Sequence, residues 1–155
     1  MKSKEFIYKT EQILPVQLSK AWEFFSSPNN LALLTPKEMD FKVLTKLDNH
    51  IYNHMIIDYT VKPLFHIPLH WRTEILDVQE MIEFTDIQLV GPFKLWKHVH
   101  QFVELEDGVL VKDCVHYKLP FGVIGQFLHS LFIKKRIEDI FSYRMKVLEQ
   151  LFIKQ

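Results

Sequence analysis

The residues best suited to chemistry in this chain are Asp86, His98, His100 and Asp113, all within the stretch Phe84 to Tyr117. Three runs of alternating character lie here, separated by turns at Val90-Gly91-Pro92 and Glu106-Asp107-Gly108, which predicts three consecutive antiparallel strands. One face of each run mixes apolar and polar groups. It carries Phe84, Asp86 and Gln88 in the first, Trp96, His98, His100 and Phe102 in the second, and Val111, Asp113, Val115 and Tyr117 in the third. A buried polar group without a partner costs about 1–3 kcal/mol. Four ionisable groups among large aromatics therefore point to a lined cavity rather than a plain core.

Register brings these groups together. If Glu104 faces Val109 across the hairpin, His100 faces Asp113, His98 faces Val115 and Trp96 faces Tyr117. If Gln88 faces Trp96, Asp86 faces His98. Directly opposed residues have Cβ atoms roughly 4.5–5.5 Å apart, so each histidine gains a carboxylate neighbour. Two histidines two positions apart share a strand face, about 7 Å apart along the chain. With Asp86 or Asp113 they offer the donors of a two-histidine, one-carboxylate metal site, provided three or four ligands converge. They equally suit acid–base catalysis near neutral pH, with Tyr117 or Tyr59 as hydrogen-bond donor. Contacts to a ligand's polar end, or two His–Asp pairs that simply satisfy each other, are the remaining readings. The residue types leave all four open. No nucleophile stands beside a base and no glycine-rich phosphate loop occurs, so catalytic candidates stop at His98, His100, Asp86 and Asp113, and no metal or cofactor is assigned.

The surrounding elements must position this face. Lys4 to Leu14 alternates as a first strand ended by Pro15, and Leu18, Ala21, Trp22 and Phe25 recur at helical spacing. Ser27-Pro28 then opens a second short helix that runs through Leu34 and stops before Pro36. Phe41 to Leu47, Tyr52 to Val61 and Ile67 to Val78 are the next strands. In the last of these the Trp71 face is placed inward, because His70, Arg72 and Glu74 are cheapest in water. From about Gly122 to Phe152, apolar residues at spacings of three, four and seven predict one long amphipathic helix. Its first part, Phe121 to Ile133, followed by Lys134-Lys135-Arg136, either closes the cavity with its apolar face or touches a membrane with a basic rim. Arg144, in an otherwise apolar part of the helix, either reaches a ligand anion bidentately or ties structurally to Asp86 or Glu83. Trp22, Trp71 and Trp96 either fill the core or stack on a ligand ring.

Composition narrows the classes. The 155 residues fit one domain over 1–155, and 19 Lys plus Arg balance 19 Asp plus Glu, giving no bias toward nucleic acid or anionic surfaces. Thirteen Phe and eight His against four Gly suit a packed or lined interior. Cys114, the one cysteine, falls on the outer face and leaves no intramolecular disulfide or cysteine-based zinc motif. No secretory core and no run near 20 apolar residues is present, so a cytoplasmic protein without stable membrane insertion is expected. The oligomeric state is not readable.

Several motifs together resemble the helix-grip fold of the START-like superfamily, and more closely its small stand-alone bacterial members, grouped as SRPBCC proteins. They are Thr35-Pro36 with Met39 and Phe41, Ile57 with Tyr59, Trp71 with Ile75, Phe84-x-Asp86-x-Gln88, Gly91-Pro92-Phe93, Trp96-x-His98-x-His100-x-Phe102, Asp113-x-Val115-x-Tyr117, Leu119-Pro120-Phe121-Gly122 with Gly125, and Phe141-x-Tyr143-Arg144. The turn Asp107-Gly108-Val109 departs from the Gly-Gly-Thr-like turn expected there. The resemblance implies an α+β fold: a curved seven-stranded antiparallel sheet wrapped around the C-terminal helix, two short helices after strand 1, and a cavity between sheet and helix. It implies a small hydrophobic or amphipathic ligand, with lipid transport and polyketide cyclase or dehydratase chemistry both found in the superfamily. Fold alone does not choose between carrier, enzyme and interaction module. The expected ligand-binding set is Tyr59, Trp71, Phe84, Asp86, Gln88 and Trp96, together with His98, His100, Phe102, Asp113, Tyr117 and Arg144.

Overall fold

The computed structural model of the protein describes residues 3–154. Met1, Lys2 and Gln155, at the ends of the expected 1–155 domain, lie outside the described residues. Seven antiparallel strands form one curved sheet: β1 (Glu5–Leu14), β2 (Lys42–Val43), β3 (Ile56–Val61), β4 (Leu69–Gln79), β5 (Glu83–Val90), β6 (Leu95–Leu105) and β7 (Gly108–Lys118). Their order across the sheet is β1-β7-β6-β5-β4-β3-β2. Helix α1 (Leu18–Phe25) and a 3-10 turn (Pro28–Asn30) follow β1, and the chain ends in α2 (Gly122–Leu128), a π-helical turn (His129–Ile133) and α3 (Lys134–Phe152). This is the expected helix-grip architecture.

Strict alternation builds the concave face. Along β7 every second residue from Val109 to Tyr117 is buried, and along β6 His98, His100 and Phe102 are buried on the same side. The pairings His100 with Asp113, His98 with Val115 and Trp96 with Tyr117 are those the hairpin predicts, and Asp86 pairs with His98 as the register of Gln88 against Trp96 implies. On β4 Trp71, Thr73 and Ile75 point inward. Arg72 stays on the outer face, where its Nε donates to Asp58 at 2.9 Å.

Three local features differ from the expectations. Ser27 occupies the cap position, but Pro28 starts only a three-residue 3-10 turn. The second strand shrinks to Lys42–Val43, because the residues after it leave the ladder: Thr45 Oγ1 accepts from the Asp58 amide at 3.2 Å in place of a strand partner. β3 starts late, at Ile56, because Met55 N–H donates back to Tyr52 and His54 adopts a left-handed backbone with φ 69°.

The C-terminal helix has two unlike parts. In α3 the apolar stripe buries Ile137, Phe141 and Leu148 against the sheet. In α2, Gly125 is the buried residue, since a Cβ there would collide with the Pro120 carbonyl. Phe121, Ile124 and Phe127 are more than 60% exposed, so this stretch does not close the cavity. Among the described residues no helix is long and apolar enough to cross a membrane.

Candidate functional site

A cavity of about 150 Å³ opens against the sheet. Its floor comes from β3 to β6, and its roof from the end of α1 and the segment through Leu34, notably Phe25, Pro28, Leu31 and Leu34. α3 contributes Arg144 alone. The expected space between sheet and C-terminal helix is therefore displaced toward α1. The physical reason is filling: under α3, Trp71, Trp96, Phe93 and Tyr117 occupy the concave face, with the two indoles 5.5 Å apart and edge to face.

One wall of the cavity is polar. Asp86, His98, His100 and Arg144 reach it, and Asp113 stands behind them, 6% exposed. The hydrogen bonds run diagonally to the strand pairing. His98 Nε2 lies 2.7 Å from Asp113 Oδ1, and His100 Nε2 lies 2.7 Å from Asp86 Oδ2. Carboxylates only accept, so both Nε2 atoms carry hydrogen and donate. The opposite nitrogens face the directly paired carboxylates at longer range, His98 Nδ1 to Asp86 at 3.4 Å and His100 Nδ1 to Asp113 at 3.3 Å. The four side chains thus form a closed ring of alternating imidazoles and carboxylates. Arg144 Nη2 reaches Asp113 at 3.3 Å and His100 Nδ1 at 3.4 Å, while its buried Nε has no hydrogen-bond partner among the described residues.

Packing fixes the rings. Phe84 stacks on His100 at 4.2 Å, His100 lies 3.7 Å from His98, and Phe141 meets His98 edge-on at 5.4 Å. The Arg144 guanidinium sits over Phe25 at 5.4 Å and Phe141 at 6.0 Å, within cation–π range.

Electrostatics separates the two histidines. Burial pushes His98 below the ordinary imidazole value, and the neighbouring His100 adds to this. Burial opposes protonation of His100 too, but hydrogen bonds to Asp113 and Asp86 outweigh it and raise its value. Burial works against both carboxylates. The charges of His98 on Asp86 and of Arg144 on Asp113 nevertheless hold them low, Asp113 well below the usual range. Arg144 and an imidazole whose protonated form is favoured at His100 offset the two carboxylates, which lowers the cost of burying them.

Of the residues singled out from sequence, Tyr59, Phe84, Asp86, His98, His100 and Arg144 line the cavity. The others lie elsewhere. Gln88 closes the β5–β6 turn by donating to the Phe93 carbonyl at 2.7 Å, and Phe102 packs against Trp22 and Phe25. Tyr117 pairs its hydroxyl with His129 Nε2 at 2.7 Å on the π-helical turn, and burial raises its pKa to about 12. Trp71 and Trp96 belong to the aromatic filling. The roof residues Phe25, Pro28, Leu31 and Leu34 were missed as lining. Their only signal was the placement of two short helices directly after the first strand.

No family model matches this chain, and no curated protein matches it. Solved structures do resemble it. A START superfamily protein from Mycobacterium smegmatis superposes with a TM-score of 0.71 at 12% identity, covering 96% of this chain and 97% of that one. A protein from Chromobacterium violaceum gives 0.70 at 12%, covering 95% and 97%, and ginseng major latex-like protein 151 from Panax ginseng gives 0.69 at 12%, covering 96% and 98%. The chain has the START-like, helix-grip fold.

Proposed function

We propose that the chain acts as one ligand-binding domain, taking a small, mainly apolar molecule whose polar end meets Asp86, His98, His100 and Arg144. The observation that carries this is the two-sided cavity: aromatic and aliphatic over most of its surface, ionisable on one wall. Small-molecule sites combine apolar walls with a few converging polar groups, and the START-like fold supports the same reading. Volume sets the size of the occupant. An apolar protein cavity of about 150 Å³ takes benzene, so a ring-sized ligand fits here and a long lipid chain requires the α1 roof to move.

Calorimetric titration with benzene and phenol tests this. Phenol should bind about 2–10-fold tighter, the effect of one added hydrogen bond worth about 0.5–1.5 kcal/mol. Saturable binding of neither, or equal binding of both, contradicts the reading.

A further inference from the structure

We propose that Asp86, His98 and His100 form a site for one divalent transition metal ion of the zinc class, open toward the cavity. The inference deepens the ligand reading and rests on it for the open side of the site.

Convergence is the first argument. Each of the three residues offers a donor atom, and all three atoms lie within 4.8 Å of one another. Asp86 Oδ2 stands 3.4 Å from His98 Nδ1 and 2.7 Å from His100 Nε2. Metal–ligand bonds of about 2.0–2.2 Å place neighbouring donors roughly 3.3–3.6 Å apart around a tetrahedral ion. The first spacing already fits, the second needs to open by roughly 0.6–0.9 Å, and the two imidazole donors lie within 4.8 Å of each other.

The support behind the donors is the second. Metal-bound imidazoles ordinarily donate their remaining N–H to a carboxylate that fixes ring and tautomer. Here a single buried oxygen, Asp113 Oδ1, faces the far nitrogen of both rings, at 2.7 Å from His98 Nε2 and 3.3 Å from His100 Nδ1. Arg144 neutralises that carboxylate at 3.3 Å, leaving the charge of Asp86 for the cation. His98 already donates from Nε2, with Nδ1 free to ligate. His100 must free Nε2 for the ion, releasing that hydrogen to solvent where the ring is protonated, and keep one hydrogen on Nδ1, donated to Asp113; Arg144 Nη2, 3.4 Å from that nitrogen, then has the Asp113 carboxylate as its acceptor. No redox step is involved. Phe84 stacked on His100, His100 against His98 and Phe141 edge-on to His98 hold both rings in place.

The donor set selects the metal. Two imidazoles and one carboxylate, with Cys114 on the other face of β7, suit Zn²⁺, Fe²⁺ or Co²⁺ rather than Mg²⁺ or Ca²⁺. The cavity leaves coordination positions for water or for the polar end of a bound molecule. The surface pairs His54–Glu74 and His70–Asp58 each bring only one imidazole to a carboxylate and serve as internal controls.

The test is equilibrium dialysis of the full chain against micromolar free Zn²⁺, with elemental analysis and X-ray absorption at the zinc edge. One Zn²⁺ per chain bound by two imidazoles is expected. His98→Gln and His100→Gln should each weaken binding at least about tenfold and Asp113→Asn by about 10–100-fold, with His54→Ala and His70→Ala unchanged. The absorption spectrum of the unmodified chain decides the matter even where a variant does not fold. Sub-stoichiometric Zn²⁺, a spectrum with fewer than two imidazoles, or loss of the ion in the His54 or His70 variant overturns the proposal. Phenol titration with chelator present separates the two readings: binding there with no Zn²⁺ uptake leaves the cavity reading standing alone.

Discussion

Trp96 and His98 are two residues apart on the same face of β6, yet they belong to regions with opposite characters. Around Trp96 the concave face is filled: Trp71, Phe93 and Tyr117 meet it ring against ring beneath α3. Around His98 α3 brings Phe141 against the imidazole but only Arg144 to the void, which α1 with its following turn roofs. Both regions bury aromatic surface, but one spends its depth on indoles and the other holds a ring of four ionisable side chains. The filled half packs ring against ring, and the open half beside it has the polar wall. The void follows from which side chains are left short of the facing layer, not from the sheet itself.

The largest way to break this comparison is Asp113→Ala. Removing the shared carboxylate strands His98, His100 and Arg144 in a buried site, and breaking such a network costs about 3–5 kcal/mol. Urea unfolding should show the loss; a cost below about 1 kcal/mol would mean that the ring is solvated and not buried as described.

Trp71→Ala comes next. Truncating a buried tryptophan costs about 3 kcal/mol or more, and because Trp71 lies outside the cavity, phenol affinity in the folded variant should stay within twofold. Its indole N–H has no hydrogen-bond partner among the described residues, so Trp71→Phe should cost clearly less than the alanine change. A large drop in phenol affinity with either change would erase the division between the halves.

Ile57→Phe sharpens the comparison from the other side. Ile57 is 1% exposed and borders the void, so the added ring should occupy it, abolish phenol binding and change stability by less than about 1.5 kcal/mol. Unimpaired phenol binding would place the ligand elsewhere.

The smallest expected effect is the pH profile of stability in chelator-treated protein. The raised value of His100 gives stability that is present below the unfolded imidazole value of about 6.5 and lost as pH climbs through its folded value. The lowered value of His98 acts oppositely, removing stability as pH falls below about 6.5, and the depressed Asp86 and Asp113 remove more below about pH 4. Urea midpoints should therefore peak near neutrality and fall on both sides, most steeply in acid. A midpoint that keeps rising to pH 9 would contradict the assignment for His100.

The sequence carried most of the fold and half of the site. Strand register was legible because the Asp107-Gly108 hairpin and period-two alternation leave one pairing that keeps Val111, Val115 and Tyr117 inside, and Asp86 and His100 follow from it. The diagonal hydrogen bonds were not legible, since pairing fixes Cβ positions whereas the imidazole swing that sends His98 to Asp113 depends on its stacking against His100 and Phe141. Neither was the cavity's position, which depends on Trp71, Trp96 and Phe93 packing under α3 rather than leaving space there. The apolar periodicity of Phe121 to Ile133 was correctly helical but silent on what it faces, because a stripe shows amphipathicity without naming its partner.

The most direct measurement is a crystal structure of the protein with phenol. The ring is expected in the void beneath Phe25 and Leu34, with its hydroxyl at hydrogen-bond distance, about 2.6–3.2 Å, from Asp86, His98, His100 or Arg144, or from a metal ion they hold. Phenol lodged among Trp71, Trp96 and Phe93, or seated only on the exposed face of α2 with the void unoccupied, would contradict it.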